Sequence, residues 1–271
     1  MRKVVIFATA LALVASAAGA QTADTLYRST FVVTGQGEAN REVGVTRCFG
    51  DVLVKLTGDQ TILADRRYRA FAATAPSLVQ SFSYRDLLAG RPIHDEQGSY
   101  DRPHALTVAF DHGGIDAAVA ALGRKPWLAA RPRVVVFLAV ENVKAAFVLA
   151  DDSDTDRSAD MRAAFAAASD KAAMPVAFPA AGELASGGFT PATLPKMKPA
   201  GVAALAQRHG DLALIGRMVF REKLFGWVAQ WRMDYGGKSY AWSVRGVNFD
   251  AAFRNALFGA AQIASGNGVP K

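Results

Sequence analysis

The sequence predicts an α+β fold of two packed α/β layers, the second with a three-strand antiparallel meander and flanking helices. Three observations point there. An unbroken apolar run from Val134 to Val140, β-branched at its start and bounded by Arg133 and Glu141, reads as a strand buried on both faces. Near the carboxy terminus, residues 211–221, 227–235 and 238–244 form three strand segments separated by short turns, one of them Gly236-Gly237. Residues 38–56 and 249–264 place apolar side chains three and four apart, the mark of a helix with one buried stripe.

The elements follow in order. Arg2-Lys3, an apolar run from Val4 to Ala15, and Ala18-Gly19-Ala20 have the form of a secretory signal peptide over residues 1–20. Cleavage after Ala20 takes 20 residues from 271 and leaves 251. The 31 basic residues, less Arg2 and Lys3, then stand against 24 acidic ones, a net charge of +5. No later stretch is long and apolar enough for a transmembrane segment. Cys48 is the single cysteine, so stability must come from packed cores and not from an internal disulfide.

Residues 21–126 make the amino-terminal α+β half. Residues 26–37 alternate as a strand and end at Gly35-Gln36-Gly37. The helix that follows buries Val45, Cys48, Phe49, Val52, Leu53 and Leu56, and Gly58 stops it. Residues 65–75 are helical, residues 79–84 a strand, residues 88–103 a loop, residues 104–111 a strand and residues 115–122 a short helix. The carboxy-terminal half spans residues 127–265. Residues 144–150 form a hairpin partner for the apolar strand, and a helix capped by Ser158 or Asp156 runs to about residue 173. Residues 174–179 are extended, residues 182–199 an irregular connection, and residues 199–208 a helix before the meander. The closing helix buries Phe253, Leu257, Phe258 and Ala261, and residues 266–271 form a tail.

Several stretches resemble a known family. They are Arg41, the run Asp51 to Asp59, Ser81-Phe-Ser-Tyr84, Leu106 to Asp111, Trp127, and Arg131-Pro132 leading into the apolar strand. Together they resemble the exported bacterial family named domain of unknown function 2066. The stretch Ala203 to Gly216 also resembles the amino-terminal domain of TolB proteins. These resemblances imply an exported Gram-negative envelope protein and a binding module in place of an enzyme. They imply no catalytic residue.

No motif carries chemistry strongly. Gly35-Gln36-Gly37 lacks the third glycine of a dinucleotide turn, because Arg41-Glu42 stands in its place. Asp152, Asp154 and Asp156 space like a calcium loop, but Arg157 and Ala163 occupy the positions where such a loop needs glycine and an acidic ligand. An acidic helix start explains them better. The histidines, His94, His104, His112 and His209, show no metal-ligand spacing. Cys48 falls on an apolar helix face and reads as a buried thiol. No catalytic, metal or cofactor site is expected.

Arg217, Arg221, Arg232 and Arg245 alternate outward on the meander, opposite Trp227, Trp231, Met233 and Tyr235. They are the candidate binding residues, a basic patch whose guanidinium forks suit phosphate or carboxylate. Trp127 and Arg131 are candidates for a small-ligand site where the halves meet. The expected function is that of a periplasmic, non-catalytic binding or assembly factor. Its partner is an envelope protein or a cell-wall component, not nucleic acid. The alternatives are an envelope hydrolase drawing on Asp111, His104, His112 and Glu141, or a small-ligand-binding protein, with the site between the halves.

Overall fold

The structure, a computed structural model, describes residues 23–90 and 102–270. The leader, His94 and most of the loop expected over residues 88–103 lie outside the described residues. Among the described residues no helix is long and apolar enough to cross a membrane.

The chain is α+β. A one-turn helix α1 (Ala23–Leu26) leads into β1 (Arg28–Thr34) and the long α2 (Glu38–Thr57). A 3-10 turn (Gln60–Ala64), α3 (Tyr68–Thr74) and a second 3-10 turn (Ala75–Leu78) precede β2 (Val79–Asp86). Then come β3 (Pro103–Phe110) and α4 (His112–Ala121). The three strands form an antiparallel sheet in the order β1-β3-β2. Helix α2 packs on it through the predicted stripe, with Cys48, Phe49, Val52, Leu53 and Leu56 buried against Leu106, Val108 and Phe110.

The second half opens with β4 (Val134–Glu141), whose residues are buried from Val134 to Val140. It continues with β5 (Ala146–Val148), α5 (Asp156–Ala172), β6 (Val176–Ala177), α6 (Ala181–Ser186), two 3-10 turns and α7 (Ala203–Ala206). The meander is β7 (Leu212–Arg221), β8 (Gly226–Tyr235) and β9 (Lys238–Val247), and α8 (Phe249–Ser265) closes the fold. The sheet is mixed, in the order β5-β4-β7-β8-β9. Strand β4 pairs parallel with β7 and β6 and antiparallel with β5.

The alternate side chains of β4 explain its unbroken apolar run. Val134, Val136, Leu138 and Val140 face α5 and α8, where Phe165 stacks on Phe253 at 3.9 Å. Val135, Phe137 and Ala139 face a second cover made of Leu184, Phe189, Leu194, Val202 and Ala206. Leu184, Phe189 and Leu194 of that cover lie in the segment read from sequence as an irregular connection, and Val202 and Ala206 in the stretch read as a helix. The glycines, prolines and threonines of the connection dilute the apolar period, yet Leu184 and Leu194 are buried. Two further details differ from expectation. Thr155, not Ser158 or Asp156, caps α5, its hydroxyl accepting from Ser158 N. Phe258 is only half-buried, because it bridges two cores.

The halves meet along the carboxy-terminal end of α2. Gly58 ends that helix at φ 66°, a left-handed conformation that glycine takes without strain. A Cβ there would also lie 2.8 Å from the Ala261 carbonyl of α8. Beside it, Asp59 is 2% exposed and accepts from Arg124 Nε at 3.1 Å and Gln262 Nε2 at 3.3 Å. Asn267 donates to the Thr57 carbonyl.

Candidate functional site

The outer face of the carboxy-terminal sheet is built by register. Strand pairing sets Arg217 opposite Gln230 and Gln230 opposite Ser243. Val219 lies opposite Val228, which lies opposite Arg245, and Ile215 lies opposite Arg232. Directly paired residues share a face, and residues two apart on one strand share it as well. Arg217, Arg221, Arg232 and Arg245 therefore project from the same side. The cover over β4 meets this face at Pro195, whose carbonyl accepts from Arg232 Nη2 at 2.6 Å.

Two adjoining clefts run along this face. One, of about 390 Å³, is lined by Pro195, Ile215, Arg217, Gln230, Arg232 and Ser243, among others. The other, of about 470 Å³, is lined by Arg217, Val219, Arg221, Lys223, Leu224, Val228, Gln230 and Arg245. Arg217 and Gln230 belong to both. The floor is apolar and the walls are cationic, a combination that suits an anionic group carried on an apolar body.

The four arginines are not equivalent. Arg232 is held by the Pro195 carbonyl, and Arg217 lies 3.3 Å from Glu141. The latter pair is solvent-exposed and worth little to stability, on the order of 0–1 kcal/mol. Arg221 and Arg245 are exposed, and neither has a hydrogen-bond or ion-pair partner among the described residues. These two cations have planar forks free to engage a ligand.

Trp127 and Arg131 stand elsewhere, at the junction of the halves. The Arg131 guanidinium lies 3.5 Å from the centre of the Trp127 ring. Its Nη2 donates to the Lys55 carbonyl at 2.9 Å and the Trp127 carbonyl at 2.7 Å. Its Nε and Nη1 are buried with no partner. Burial pushes its pKa down to about 10. The group is occupied in joining α2 to the linker before β4, and it lines neither arginine cleft.

The residues considered for hydrolysis are dispersed. Asp111 caps α4, accepting from Gly114 N at 2.7 Å. His104 is buried, with Nδ1 2.7 Å from the Arg102 carbonyl and Nε2 3.0 Å from the Gln36 amide. A neutral ring that donates from Nδ1 and accepts at Nε2 satisfies both contacts. His112 stacks on Tyr27 at 3.8 Å, and Glu141 pairs with Arg217. Burial, with Asp51 adding to it, pushes the Cys48 thiol up to about 12, so it is no nucleophile at neutral pH. His209 Nε2 lies 2.8 Å from Glu183, which also accepts from Ala180 N and pairs with Arg208. These contacts, the Ala180 amide first, hold the Glu183 carboxyl below the usual range. Asp152 accepts from Ala181 N, fixing the start of α6. Among the described residues no three or more His, Cys, Asp or Glu side chains come together to hold a metal.

One cleft takes in two of these residues, the neighbours Asp111 and His112. About 450 Å³ in volume, it lies at the amino-terminal sheet and is lined by Asp24, Tyr27, Arg28, Gln80, Ser81, Asp111 and His112, among others. Its residues come from three separate segments, which no local spacing unites. Tyr27 donates to Asp116 at 2.8 Å, and burial followed by that bond pushes its pKa up to about 12.

The family model for a Domain of unknown function (DUF8605) matches residues 20–128. Neither a curated protein nor a solved structure matches the chain. The family match corrects the resemblances drawn from short motifs, because DUF8605 is a different domain from 2066 and no TolB-like match accompanies it. The physical reason is visible at the junction. Lys55, Thr57, Gly58, Asp59, Trp127 and Arg131 are spent on closing α2 against a second layer, so the residues that carried the resemblance are occupied by packing.

Proposed function

We propose that this protein is a periplasmic, non-catalytic binding or assembly factor that grips an anionic envelope protein or cell-wall component with the outer face of its carboxy-terminal sheet. The observation that carries the reading is the pair Arg221 and Arg245, two uncommitted guanidinium groups lining one cleft over an apolar floor. The leader of basic, apolar and small residues supports export, and export argues against nucleic acid as the partner.

The test is crosslinking of the tagged protein in its native envelope, with partners identified by mass spectrometry. Arg221→Glu and Arg245→Glu are the variants of choice, because Arg217 and Arg232 have internal partners whose loss would confuse the result. A dominant crosslinked partner is expected, and the double variant, still folded by circular dichroism, should lose it. A partner retained in full by the double variant would sink the reading. So would turnover of a defined substrate that a single non-unfolding substitution abolishes.

A further inference from the structure

The β7–β8 hairpin ends in a tip that its own fold does not explain. A 3-10 turn (Glu222–Leu224) leads to Phe225, whose ring is 94% exposed. Its backbone sits at φ 46°, the left-handed region that a bulky side chain rarely adopts. A glycine would serve that turn without strain, and a polar residue would suit the water. Phe225 satisfies neither demand in the isolated protein. Leu224 beside it is 47% exposed, and Val143, from the turn between β4 and β5, is 71% exposed. Both turns border one cleft at this end of the sheet.

The tip is not a floppy loop. Phe220 and Trp227 meet edge to face across its base at 5.5 Å. Gly226 is so close to β9 that a Cβ would lie 2.8 Å from the Gly246 carbonyl carbon. The hairpin is thus braced and its apolar end is held out into solvent. Cations surround it: Arg221 and Lys223 on the hairpin, Arg245 across the cleft, and Lys144 next to Val143. The carboxylates lining that cleft are Glu222 and Glu141, and the second is engaged by Arg217.

We infer that this end of the sheet docks on an anionic bilayer surface, with Phe225, Leu224 and Val143 entering the headgroup–acyl boundary and the flanking cations pairing with lipid phosphates. A convex, braced apolar tip ringed by basic side chains fits a soft surface with a negative rim. It matches a protein groove less well, because its apolar residues come from two turns and present no single helix or strand to bind. The inference goes beyond the partner reading and does not depend on it, because vesicles contain no protein or cell wall.

The experiment places an environment-sensitive dye at Phe225→Cys. Cys48 is buried and will not compete for the label. A second chain carries the dye at Lys238→Cys, on the turn at the far end of the hairpin, about 30 Å away along β8. With vesicles of phosphatidylglycerol and phosphatidylcholine, the dye at 225 should shift to the blue and be quenched by lipids spin-labelled near the headgroup, while the dye at 238 should not change. Arg221→Gln and Arg245→Gln should each weaken the response about five-fold. In otherwise unaltered protein, Phe225→Ser should cut vesicle flotation about ten-fold. No shift at 225, an equal shift at 238, an equal response to neutral vesicles, or undiminished flotation of Phe225→Ser would each overturn the inference.

Discussion

At the junction, Arg124 reaches the buried carboxylate of Asp59 at 3.1 Å and the Arg131 guanidinium lies over the Trp127 ring at 3.5 Å. On the outer sheet face, Arg221 and Arg245 have no such partner among the described residues. The residue type is the same and the use is opposite. Junction arginines turn donors toward backbone carbonyls and the carboxylates of Asp59 and Asp65, and they hold two layers together. Face arginines have theirs turned to water. A charge that the fold has already consumed contributes to stability, whereas a charge it leaves open is available for recognition. The difference predicts which substitutions should unfold the protein and which should leave it folded but unable to bind.

The largest effect belongs to Asp59. Asp59→Ala removes the buried carboxylate that Arg124 reaches, leaving Arg124 only the more distant Asp65 at 3.7 Å as an ion-pair partner, and it removes the acceptor of Gln262 and Thr61 as well. Breaking a buried pair costs about 3–5 kcal/mol. Arg124 is a quarter exposed, so the loss should fall near about 3 kcal/mol, read from the midpoint of urea unfolding. A loss under about 1 kcal/mol, the range of surface pairs, would mean that the junction is held by apolar packing alone.

Arg131 comes next. Arg131→Ala gives up the stacked contact with Trp127 and two carbonyl hydrogen bonds, but it also releases two buried donors that have no partner. A net loss of about 2 kcal/mol is expected. Arg131→Lys should recover little of it, because an ammonium cannot lie on the ring and reach both carbonyls. Full recovery by lysine would show that charge, and not the planar fork, is what the junction needs.

Much of this architecture is legible in the chain, and the limits of legibility have physical causes. The stripe of α2, its stop at Gly58 and the doubly buried β4 are local patterns, set by periods of 3.6 and 2 and by one left-handed position. The outward alternation of the four arginines is local too, but their sharing of one face depends on strand register, which only the paired sheet settles. The contact between Asp59 and Gln262 spans 203 positions, and nothing near either residue announces the other. The cover over β4 was obscured by its glycines and prolines. The apolar turn Leu224-Phe225 stands between two strands where polar residues are the rule, so the signal was present. It was masked by the strand patterns on either side.

Cys48 gives a test of smaller size at neutral pH. It lies in the core of the amino-terminal half, and Cys48→Ala should cost about 1 kcal/mol there. Its thiol ionises near 9.0 in an unfolded chain and is pushed up to about 12 in the folded one, by burial first. Below pH 9 both states keep the proton, and the stabilisation from the protonated thiol is fully present. Between pH 9 and 12 the unfolded chain releases the proton while the folded chain holds it, so stability falls as pH rises. Tyr27, pushed up to about 12, acts with the same sign in this window, so the comparison must be with Cys48→Ala and not with a raw slope. The variant should lose less stability than the parent over this window. A thiol reagent should leave the native protein unmodified at pH 8 and label it once unfolded. Rapid labelling of the folded protein would place Cys48 outside the core.

The smallest effect is the one that most sharpens the contrast between the two arginine sets. Arg221→Glu with Arg245→Glu should change folding stability by no more than about 0.5 kcal/mol, because neither side chain holds anything in place. Reversing two charges should relieve the mutual repulsion of a cationic cleft, so a slight gain at low salt is the expected sign, fading as salt screens the face. The same double variant is the one expected to lose the envelope partner proposed above. A variant as stable as the parent and blind to the partner would separate recognition from folding at this face. If the double variant instead lost several kcal/mol, the outer face would be part of the scaffold, and the division between consumed and open charges would fail where it matters most.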